Sequence, residues 1–490
     1  MSTGEQTAVV IGGGPVGCLQ AAVLAKQGFK VKLFEQRDDI RKASLYEGRS
    51  INFALSERGR NALRLIGHEE EVLKHGVPMY SRMIHKKETD GTTQLYAVPY
   101  GKGVQCIYSV SRRMINERLL SAAAAENNVE VFFRHKLLSL DAASGSCEFA
   151  PIEDESSGGT GRGGKAGGKE GGAARVEGGF VFGCDGFRSA VRNAMQRACR
   201  MNYSVEYIEH GYKELAILPV GEGPAHEGPS FCRNGTEAPK YKMAVHHLHI
   251  WPRGSFMLIA LPNLDGSFTL TLFMPMDILE SLDAGSDKEV IAFFEEHYPD
   301  ALTLIGKDHL LSDFRQNPTA PLAMMKCEPF AYGKCCLMGD AAHSMVPFYG
   351  QGMNCGLEDV FVFSDLLRGE MRGKKMEEVA SAFGKKRKPD ADAIVQLSLE
   401  NYVEMRAKVA SMSFLLKKKV DGLLNALLPS VWIPQYTMVA FSRIPYSEVI
   451  RRRDRQDRLL QVSLDVGASL GLLMAAGLGV YAALRAAKRS

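Results

Sequence analysis

Apolar and polar positions at the start of the chain follow a strand–helix–strand order. TAVVI, residues 7–11, is a short apolar run typical of a buried strand. PVGCLQAAVLAKQG carries apolar residues at helical spacing and closes at Gly28, and KVKLFE alternates apolar and polar residues up to Glu35. The pattern predicts a β–α–β unit, which is the building block of a parallel sheet with helices on its faces.

Later segments show other patterns. HHLHIWP, SFMLIALP and SFTLTLFMP, within residues 203–330, alternate in a way that predicts an antiparallel sheet with one packed face. Two strands ending in turns are expected in GFVFGCDG and KCCLMGDAAH, with a long helix from about residue 352 and mostly helices over 376–460. The glycine-rich residues 153–179 are expected to be a flexible surface insertion between strands.

Two apolar stretches near the C-terminus stand out. Residues 466–484, VGASLGLLMAAGLGVYAAL, carry no charge and would span ~28 Å as a helix, close to the thickness of a bilayer core. Charged residues on both sides favour a membrane anchor over the alternative, a buried terminal helix. The run at 422–436, GLLNALLPSVWIPQY, is expected to lie in the core with partial contact to a membrane surface.

Composition narrows the class of protein. The 490 residues predict two or three domains, and 45% hydrophobic with 24% charged residues is ordinary for a globular protein. A net charge of +4 gives no case for a nucleic-acid partner. Ten cysteines without C-x-x-C pairs indicate a reducing compartment, and MSTGEQT at the N-terminus does not resemble a secretory signal.

The first candidate site is the turn GGGPVG between the predicted strand and helix. Gly12 permits the turn, Gly14 lets the backbone approach a pyrophosphate, and Gly17 lets the helix pack on the strand. Glu35, at the end of the second strand, is placed to accept hydrogen bonds from a ribose. The fingerprint predicts a dinucleotide but does not distinguish FAD from NAD.

Two later motifs, 183-GCDGFRSAVR-192 and 338-MGDAAHSMVPFYGQGMNCGLED-359, distinguish them. Together with the glycine turn they resemble the class A flavoprotein monooxygenases, the family of para-hydroxybenzoate hydroxylase. The resemblance implies that Asp340 binds the ribityl chain of FAD and that Asp185 contacts FAD and NADPH. It also implies that Gly350 and Gly352 start a helix at the flavin ring. The alternative is that both aspartates merely cap helices, and His343 is expected to be structural rather than a base.

Further runs resemble the kynurenine 3-monooxygenase family over nearly the whole chain. They are GRSINFALSERGR, PMYSRMIH, IYSVSR, HGYKEL, HIWPR, NYVEMRA and PSVWIPQYTMVAFSRI. The resemblance implies that Arg82 and Tyr100 bind a substrate carboxylate, and that Asn401 and Tyr436 complete the polar end of the pocket. It further implies that Phe348 lines the aromatic slot and that Glu404 orients the polar cluster. The remaining implied FAD contacts are Val16, Arg37, Ala54, Arg112, Leu137, Met353 and Asn354.

The expected fold class is therefore α/β: a Rossmann-type FAD-binding domain of the para-hydroxybenzoate hydroxylase type with an antiparallel-sheet substrate domain, C-terminal helices and a membrane segment. The expected division is FAD-binding domain 1–200 and 331–375, substrate domain 201–330, helical cap 376–460 and anchor 461–490. No second GxGxxG lies between a predicted strand and a predicted helix, so NADPH is expected to dock transiently.

The expected reaction follows from the resemblance alone. FAD reduced by NADPH would react with O2 to give a C4a-hydroperoxide, which would hydroxylate L-kynurenine to 3-hydroxykynurenine in tryptophan degradation and NAD biosynthesis. No side chain is expected to be a general base, and no metal is expected. The implied location is the mitochondrial outer membrane, with the catalytic part facing the cytosol. Two alternatives stay open: a class A hydroxylase of another aromatic substrate, and a non-enzymatic carrier with the FAD fold.

Overall fold

The computed structural model describes residues 7–42, 52–101, 105–152, 174–221, 240–408 and 412–462, except for the side chains of 407, 408 and 412–418. The strands in this part are β1 Thr7–Ile11, β2 Lys30–Phe34, β3 Asn52–Leu55, β4 Val77–Met79, β5 Ser81–Lys87, β6 Thr93–Pro99, β7 Ile107–Ser111, β8 Val129–Phe132, β9 His135–Asp141, β10 Ser146–Pro151, β11 Ala174–Val176, β12 Phe180–Gly183, β13 Asn202–Ile217, β14 His247–Pro252, β15 Met257–Pro262, β16 Phe268–Pro275, β17 Ala320–Glu328, β18 Ala331–Tyr332, β19 Cys335–Leu337 and β20 His343–Ser344. The helices are α1 Pro15–Lys26, α2 Glu57–Arg64, α3 Glu69–Lys74, α4 Arg112–Ala124, α5 Ala190–Ala198, α6 Met276–Ala284, α7 Asp287–His297, α8 Pro299–Ile305, α9 Lys307–Gln316, α10 Gly352–Arg368, α11 Met376–Val403, α12 Met412–Leu427, α13 Gln435–Ala440 and a last one over 446–462.

A six-stranded sheet forms the expected nucleotide-binding half. Its order is β18-β19-β12-β1-β2-β8, and all neighbours are parallel except β18 and β19. Helix α1 follows β1 and packs against α4 and α10, so the carboxyl end of β1 faces the N-terminus of its own helix. The Rossmann-type prediction is confirmed by this strand–helix–strand order and by the parallel register of β1 with β2 and β12.

The second large sheet has eight strands in the order β20-β17-β13-β16-β15-β14-β5-β6. Its pairs are antiparallel apart from β14 and β5. The antiparallel sheet expected within 201–330 is therefore present, but β5 and β6 join it from the first hundred residues. The division at residue 200 missed them because strand pairing across more than 150 residues leaves no local signal in the sequence.

Four helices, α6 to α9, occupy residues 276–316, where only strands were expected. They cover one face of the eight-stranded sheet and share a core with it, in which Phe294 and Phe314 are fully buried. The helical signal was local: Ser286 and Glu289 form a capping box at the start of α7. The predicted insertion 153–179 is also shorter at its end, because Ala174–Val176 pairs with β10 as a strand.

The C-terminal part is helical, as expected, but the run at 422–436 is mostly not buried. Helix α11 runs for 28 residues and ends in a π-helical turn, Glu404–Lys408. Within the run 422–436 Trp432 is buried, whereas Leu427 and Val431 are 67% and 69% exposed, so the prediction of a core segment is wrong for most of it. Among the described residues, no helix is both long and apolar enough to cross a bilayer. The anchor predicted at 466–484 lies outside the described residues.

Candidate active site

The glycine turn after β1 has the geometry that a nucleotide-binding turn requires. Gly12 has φ +107°, a conformation that residues with a side chain rarely adopt. A Cβ on Gly17 would come within 1.9 Å of the Gly12 carbonyl oxygen, so the helix can start this close to the turn only with glycine there. A Cβ on Gly14 would meet no described atom within 4 Å. The N-terminus of α1 is thus open to a phosphate group.

Glu35 fixes this turn to the end of β2. One carboxylate oxygen accepts a hydrogen bond from the Gly13 amide at 2.6 Å, and the other accepts from the Arg37 amide at 2.9 Å. The Arg37 side chain is exposed. The ribose contact expected of Glu35 and the FAD contact expected of Arg37 stay predictions: the Glu35 carboxylate bonds to two backbone amides of the protein, and Arg37 takes part through its own amide.

Val16 brings the first motif against the third. A Cβ on Gly339 would lie 3.2 Å from a Val16 methyl group, and one on Gly356 would lie 2.8 Å from it. Val16 therefore leaves little room for a side chain at Gly339 and Gly356. The start of α1 and the G-D-A-A-H turn therefore meet at one place, although about 320 residues separate them in sequence.

Asp340 lies in that turn, inside a short 3-10 helix, Gly339–Ala341. Its carboxylate has no hydrogen-bond partner among the described residues and is half-buried. Burial raises the pKa of Asp340, against the opposing effect of the positive charges of Arg112 and His343. Arg112 opens α4 with an exposed side chain. A carboxylate without a protein donor suits the hydroxyl groups of a ribityl chain, as the resemblance implied.

The two carboxylate oxygens of Asp185 differ in their hydrogen bonds. Its Oδ2 accepts from the amides of Ala190 at 2.6 Å and Val191 at 3.2 Å and so caps helix α5. Its Oδ1 is buried without a partner among the described residues. Burial raises the pKa of this carboxyl group. The helix cap weighed as an alternative is present, and the second oxygen remains for a ligand that donates a hydrogen bond.

The turn before α10 is open in the same way as the first turn. Gly350 adopts the left-handed conformation, with φ 64° and ψ 27°. A Cβ on Gly352, the first residue of α10, would meet no described atom within 4 Å. Two open helix N-termini, the free oxygen of Asp185 and the unpartnered Asp340 together fit a dinucleotide with a polyol chain. The residues implied for FAD are thus suited to hold it.

Asn354 is engaged by the protein itself. Its amide donates to the carbonyls of Ala54 at 2.8 Å and Gly350 at 2.7 Å, while its oxygen accepts from the Ser56 amide at 2.8 Å. It ties β3 to the start of α10. Met353 is half-buried against the core beside it. Leu137 lies on β9 opposite Phe149, in a separate three-stranded sheet. Direct FAD contacts by these residues stay predictions.

Arg82 is the first of the residues predicted to bind the substrate carboxylate. It lies on β5 between Leu248 of β14 and Val98 of β6 and is only 3% exposed. Its Nε has no hydrogen-bond partner among the described residues, and the carboxylate of Glu404 is 3.9 Å away. Isolated buried charges are costly, so this guanidinium is prepared for an anionic ligand.

Aromatic rings surround the guanidinium. The Tyr436 ring lies 4.5 Å from it and stacks on Tyr100 at 5.0 Å. Tyr349 stacks on Tyr436 at 5.6 Å. The buried Tyr100 hydroxyl has no hydrogen-bond partner in the part of the chain that the structure describes, and burial raises its pKa well above the ordinary value, so it stays a neutral donor. A carboxylate reaching this place would meet a cation and a phenol hydroxyl together.

Asn401 and Phe348 meet at the other side of the region. The Asn401 amide, near the end of α11, donates to the Phe348 carbonyl at 2.8 Å. Phe348 stacks on Tyr402 at 3.7 Å and contacts Phe273 edge-on at 4.8 Å. Glu404 opens the π-helical turn, a feature frequent at functional sites. The structure thus brings all six predicted substrate residues to one region between the eight-stranded sheet and the C-terminal helices.

Two aromatic residues of this region were missed by the sequence analysis. Tyr349 lies in the same motif as Phe348, and Tyr402 directly follows Asn401. Both are buried. Their position next to named residues was the available signal, but it does not say which way an aromatic ring faces.

His343 of the G-D-A-A-H turn forms a buried cluster with Cys355 and Asp359 of α10, with donor atoms within 4.8 Å of one another. His343 Nε2 lies 2.7 Å from Asp359, and Arg387 Nε donates to the same carboxylate at 2.6 Å. The guanidinium supplies the positive charge that this carboxylate needs. His343 is buried, and its ring bonds to the helix that follows the turn.

Comparisons with known proteins agree on the family. The FAD binding domain family matches residues 5–208 and 271–398. Kynurenine 3-monooxygenase of Anopheles gambiae is 42% identical over 472 residues, covering 96% of this chain and 88% of the relative. The Caenorhabditis elegans and Sus scrofa kynurenine 3-monooxygenases are 40% and 41% identical, covering 96% and 93% of this chain and 97% and 88% of their own.

Solved structures show the same fold at low identity. The tetrameric form of 2-methyl-3-hydroxypyridine-5-carboxylic acid oxygenase is 17% identical with a TM-score of 0.60, covering 84% of this chain and 95% of that one. Pseudomonas aeruginosa PqsL in complex with 2-aminobenzoylacetate is 16% identical with a TM-score of 0.61, covering 82% and 96%. With the glycine turn, the G-D-A-A-H turn and the buried Arg82 in place, the chain belongs to the kynurenine 3-monooxygenase family of FAD-dependent monooxygenases.

Proposed function

We propose that this chain hydroxylates L-kynurenine to 3-hydroxy-L-kynurenine with FAD as bound cofactor and NADPH and O2 as co-substrates. The relatives that share about 40% of its residues bear the name of this activity. The observation that carries the proposal is the buried, underpaired Arg82 beside the free hydroxyl of Tyr100. This pair suits the carboxylate of an amino acid.

FAD would be held by the glycine turn of residues 12–17, by Asp185 and Asp340, and by the N-terminus of α10. When bound and reduced by NADPH, FAD supplies O2 activation, so that one oxygen atom enters the ring and the other leaves as water. The N-terminus of α10 at Gly352 has a positive electrostatic potential, which would stabilise negative charge on a group bound next to it.

The chain's own residues bind and orient the substrate. Arg82 and Tyr100 would hold the carboxylate, and the rings of Tyr436 and Phe348 would border the aromatic part. Positioning and exclusion of water from the reacting atoms are the main contributions expected of these buried side chains. We assign no side chain the role of a strong base. The amino group of the substrate already activates the ring for hydroxylation.

The test is product analysis with purified, flavin-loaded protein. L-Kynurenine should stimulate NADPH oxidation, and 3-hydroxykynurenine should form in equal amount. NADPH oxidation that yields only hydrogen peroxide would mean that the true substrate is another aromatic compound. Protein that binds FAD but never oxidises NADPH would favour the carrier alternative.

We also propose that the chain is attached to the mitochondrial outer membrane by residues 461–490, with the catalytic part in the cytosol. The sequence of the apolar run supports this, and so do exposed apolar side chains close before it, Leu459 at 55% and Val462 at 59%. A fusion of residues 460–490 to a fluorescent protein tests the proposal. Mitochondrial fluorescence would support it, and a cytosolic signal would refute it.

A further inference from the structure

One carboxylate of helix α10 holds both ends of the G-D-A-A-H turn. Asp359 is fully buried, and its Oδ2 accepts from the Gly339 amide at 2.8 Å and lies 2.7 Å from His343 Nε2. Gly339 and His343 are the first and last residues of the motif. The side chain of Asp340 projects from the backbone between these two fixed points.

The other oxygen of the same carboxylate is fixed from the opposite side. Arg387, inside α11, donates from Nε to Asp359 Oδ1 at 2.6 Å and from Nη2 to the Cys355 carbonyl at 3.1 Å. Burial opposes ionisation of Asp359, but His343 and Arg387 outweigh it and lower its pKa. The carboxylate is therefore a charged and rigid acceptor, which makes its hydrogen bonds strong.

This geometry joins the two elements assigned to the flavin. Asp359 lies two turns along the helix whose N-terminus at Gly352 is open, and it fixes the turn that carries the unpartnered Asp340. Gly339, with φ 59°, lets the turn approach the helix. A shift of the turn relative to α10 would move Asp340 away from any ligand that also reaches Gly352.

We propose that Asp359 is a positioning residue for FAD: it sets the distance between Asp340 and the N-terminus of α10, so that one FAD molecule can contact both. This rests on the FAD-dependent function proposed above. The proposal assigns the residue no contact with FAD or substrate. It differs from a purely structural role because it concerns the affinity for FAD and not only the stability of the apoprotein.

The chain offers a matched control in the preceding residue. Glu358 is also a buried acid on the same helix, 4% exposed against 0% for Asp359, and it pairs with Arg58 at 2.7 Å and Arg387 at 3.0 Å. It makes no hydrogen bond to the G-D-A-A-H turn among the described residues. Glu358→Ala therefore removes the same kind of group as Asp359→Ala without releasing the turn.

The experiment titrates FAD into apoprotein of the full chain and of both variants, followed by flavin fluorescence. We expect Asp359→Ala to raise the FAD dissociation constant at least about tenfold (~1.4 kcal/mol), and Glu358→Ala to leave it within about twofold of the parent. Both variants should lower the melting temperature of the apoprotein. The increase in melting temperature on adding FAD should shrink only for Asp359→Ala.

Equal FAD affinity in Asp359→Ala and the parent would overturn the proposal, and so would equal losses in the two variants. If Asp359→Ala does not fold, Asp359→Asn takes its place, because the amide still fills the space but cannot accept from both sides. Kynurenine hydroxylation by the parent chain is measured separately. A parent that binds FAD but forms no product would refute the proposed reaction and leave the role of Asp359 decided by the titration alone.

Discussion

Replacing Arg82 by methionine should abolish recognition of the substrate carboxylate while leaving the fold intact. The unbranched methionine side chain can keep the packing against the Tyr436 ring, which lies 4.5 Å from the guanidinium. It removes the charge and all donors. The variant therefore separates carboxylate binding from the shape of the pocket.

The size of the effect follows from the partners of Arg82. Its Nε is unpartnered among the described residues, and Glu404, at 3.9 Å and partly exposed, is a weak partner. The substrate carboxylate would thus be its main partner in a buried place. Removing one member of such a pair costs ~2–5 kcal/mol of binding, so we expect KM for L-kynurenine to rise about thirtyfold or more.

The assay compares L-kynurenine with its decarboxylated analogue in the parent and in Arg82→Met. In the parent, KM should be lower for L-kynurenine than for the analogue by roughly the same factor by which Arg82→Met raises KM for L-kynurenine. In the variant, the two compounds should have similar KM values. Flavin content and melting temperature serve as controls. Because an underpaired buried charge is unfavourable without ligand, we expect Arg82→Met not to lower the melting temperature. A variant that keeps the full preference for L-kynurenine would refute the placement of the carboxylate.

Three further predictions concern the frame around the site. Gly17→Ala would bring a Cβ within 1.9 Å of the Gly12 carbonyl, so the purified protein should lack flavin absorbance and melt lower, whereas Gly14→Ala should keep the melting temperature of the apoprotein and weaken FAD binding. Burial, with the neighbouring imidazoles, lowers the pKa of His249 to about 3. The unfolded chain therefore binds more protons below pH 6.5, and stability should fall by up to ~1.4 kcal/mol per pH unit from about pH 6.5 downwards, with a smaller slope in His249→Gln. Arg58→Met removes donors to the Val439 and Ile444 carbonyls, so urea unfolding should show a loss of ~3–5 kcal/mol and KM should rise, with unchanged FAD affinity in the folded fraction.

The local parts of the fold were predictable from the sequence because their physical causes are local. The turn from β1 to α1 needs glycine where φ is +107° and where a Cβ would strike a carbonyl, and both positions are visible as GxGxxG. The capping box of Ser286 and Glu289 is an equally local signal. It marks the start of a helix within a segment predicted to form strands, so that prediction was wrong although the sequence contained the signal.

The arrangement of the candidate site could not be predicted from pattern alone. Arg82 reaches the region because β5 pairs with β14, in the register Arg82 opposite Leu248. Tyr436 arrives from the last part of the chain and stacks on Tyr100. Such pairings depend on how whole layers pack, so the positions were found only through the resemblance to a known family. The buried ionic cluster of Asp359 and Arg387 had no sequence signal at all.

Helix α10 connects the residues proposed to bind FAD with those proposed to bind the substrate. Its first turn faces the open place at Gly352, Asn354 ties it to β3, and Glu358 holds Arg58. Arg58 in turn donates to the carbonyl of Val439, in the helix that carries Tyr436, and to the carbonyl of Ile444, which follows that helix. Movement of α10 would therefore displace the turn at Gly352 and the helix that carries Tyr436 at the same time. A buried charge is costly unless it is paired, and α10 carries two of them, Glu358 and Asp359. Their strong, directional bonds fix the helix to three distant parts of the sequence, a constraint that apolar packing alone would not provide.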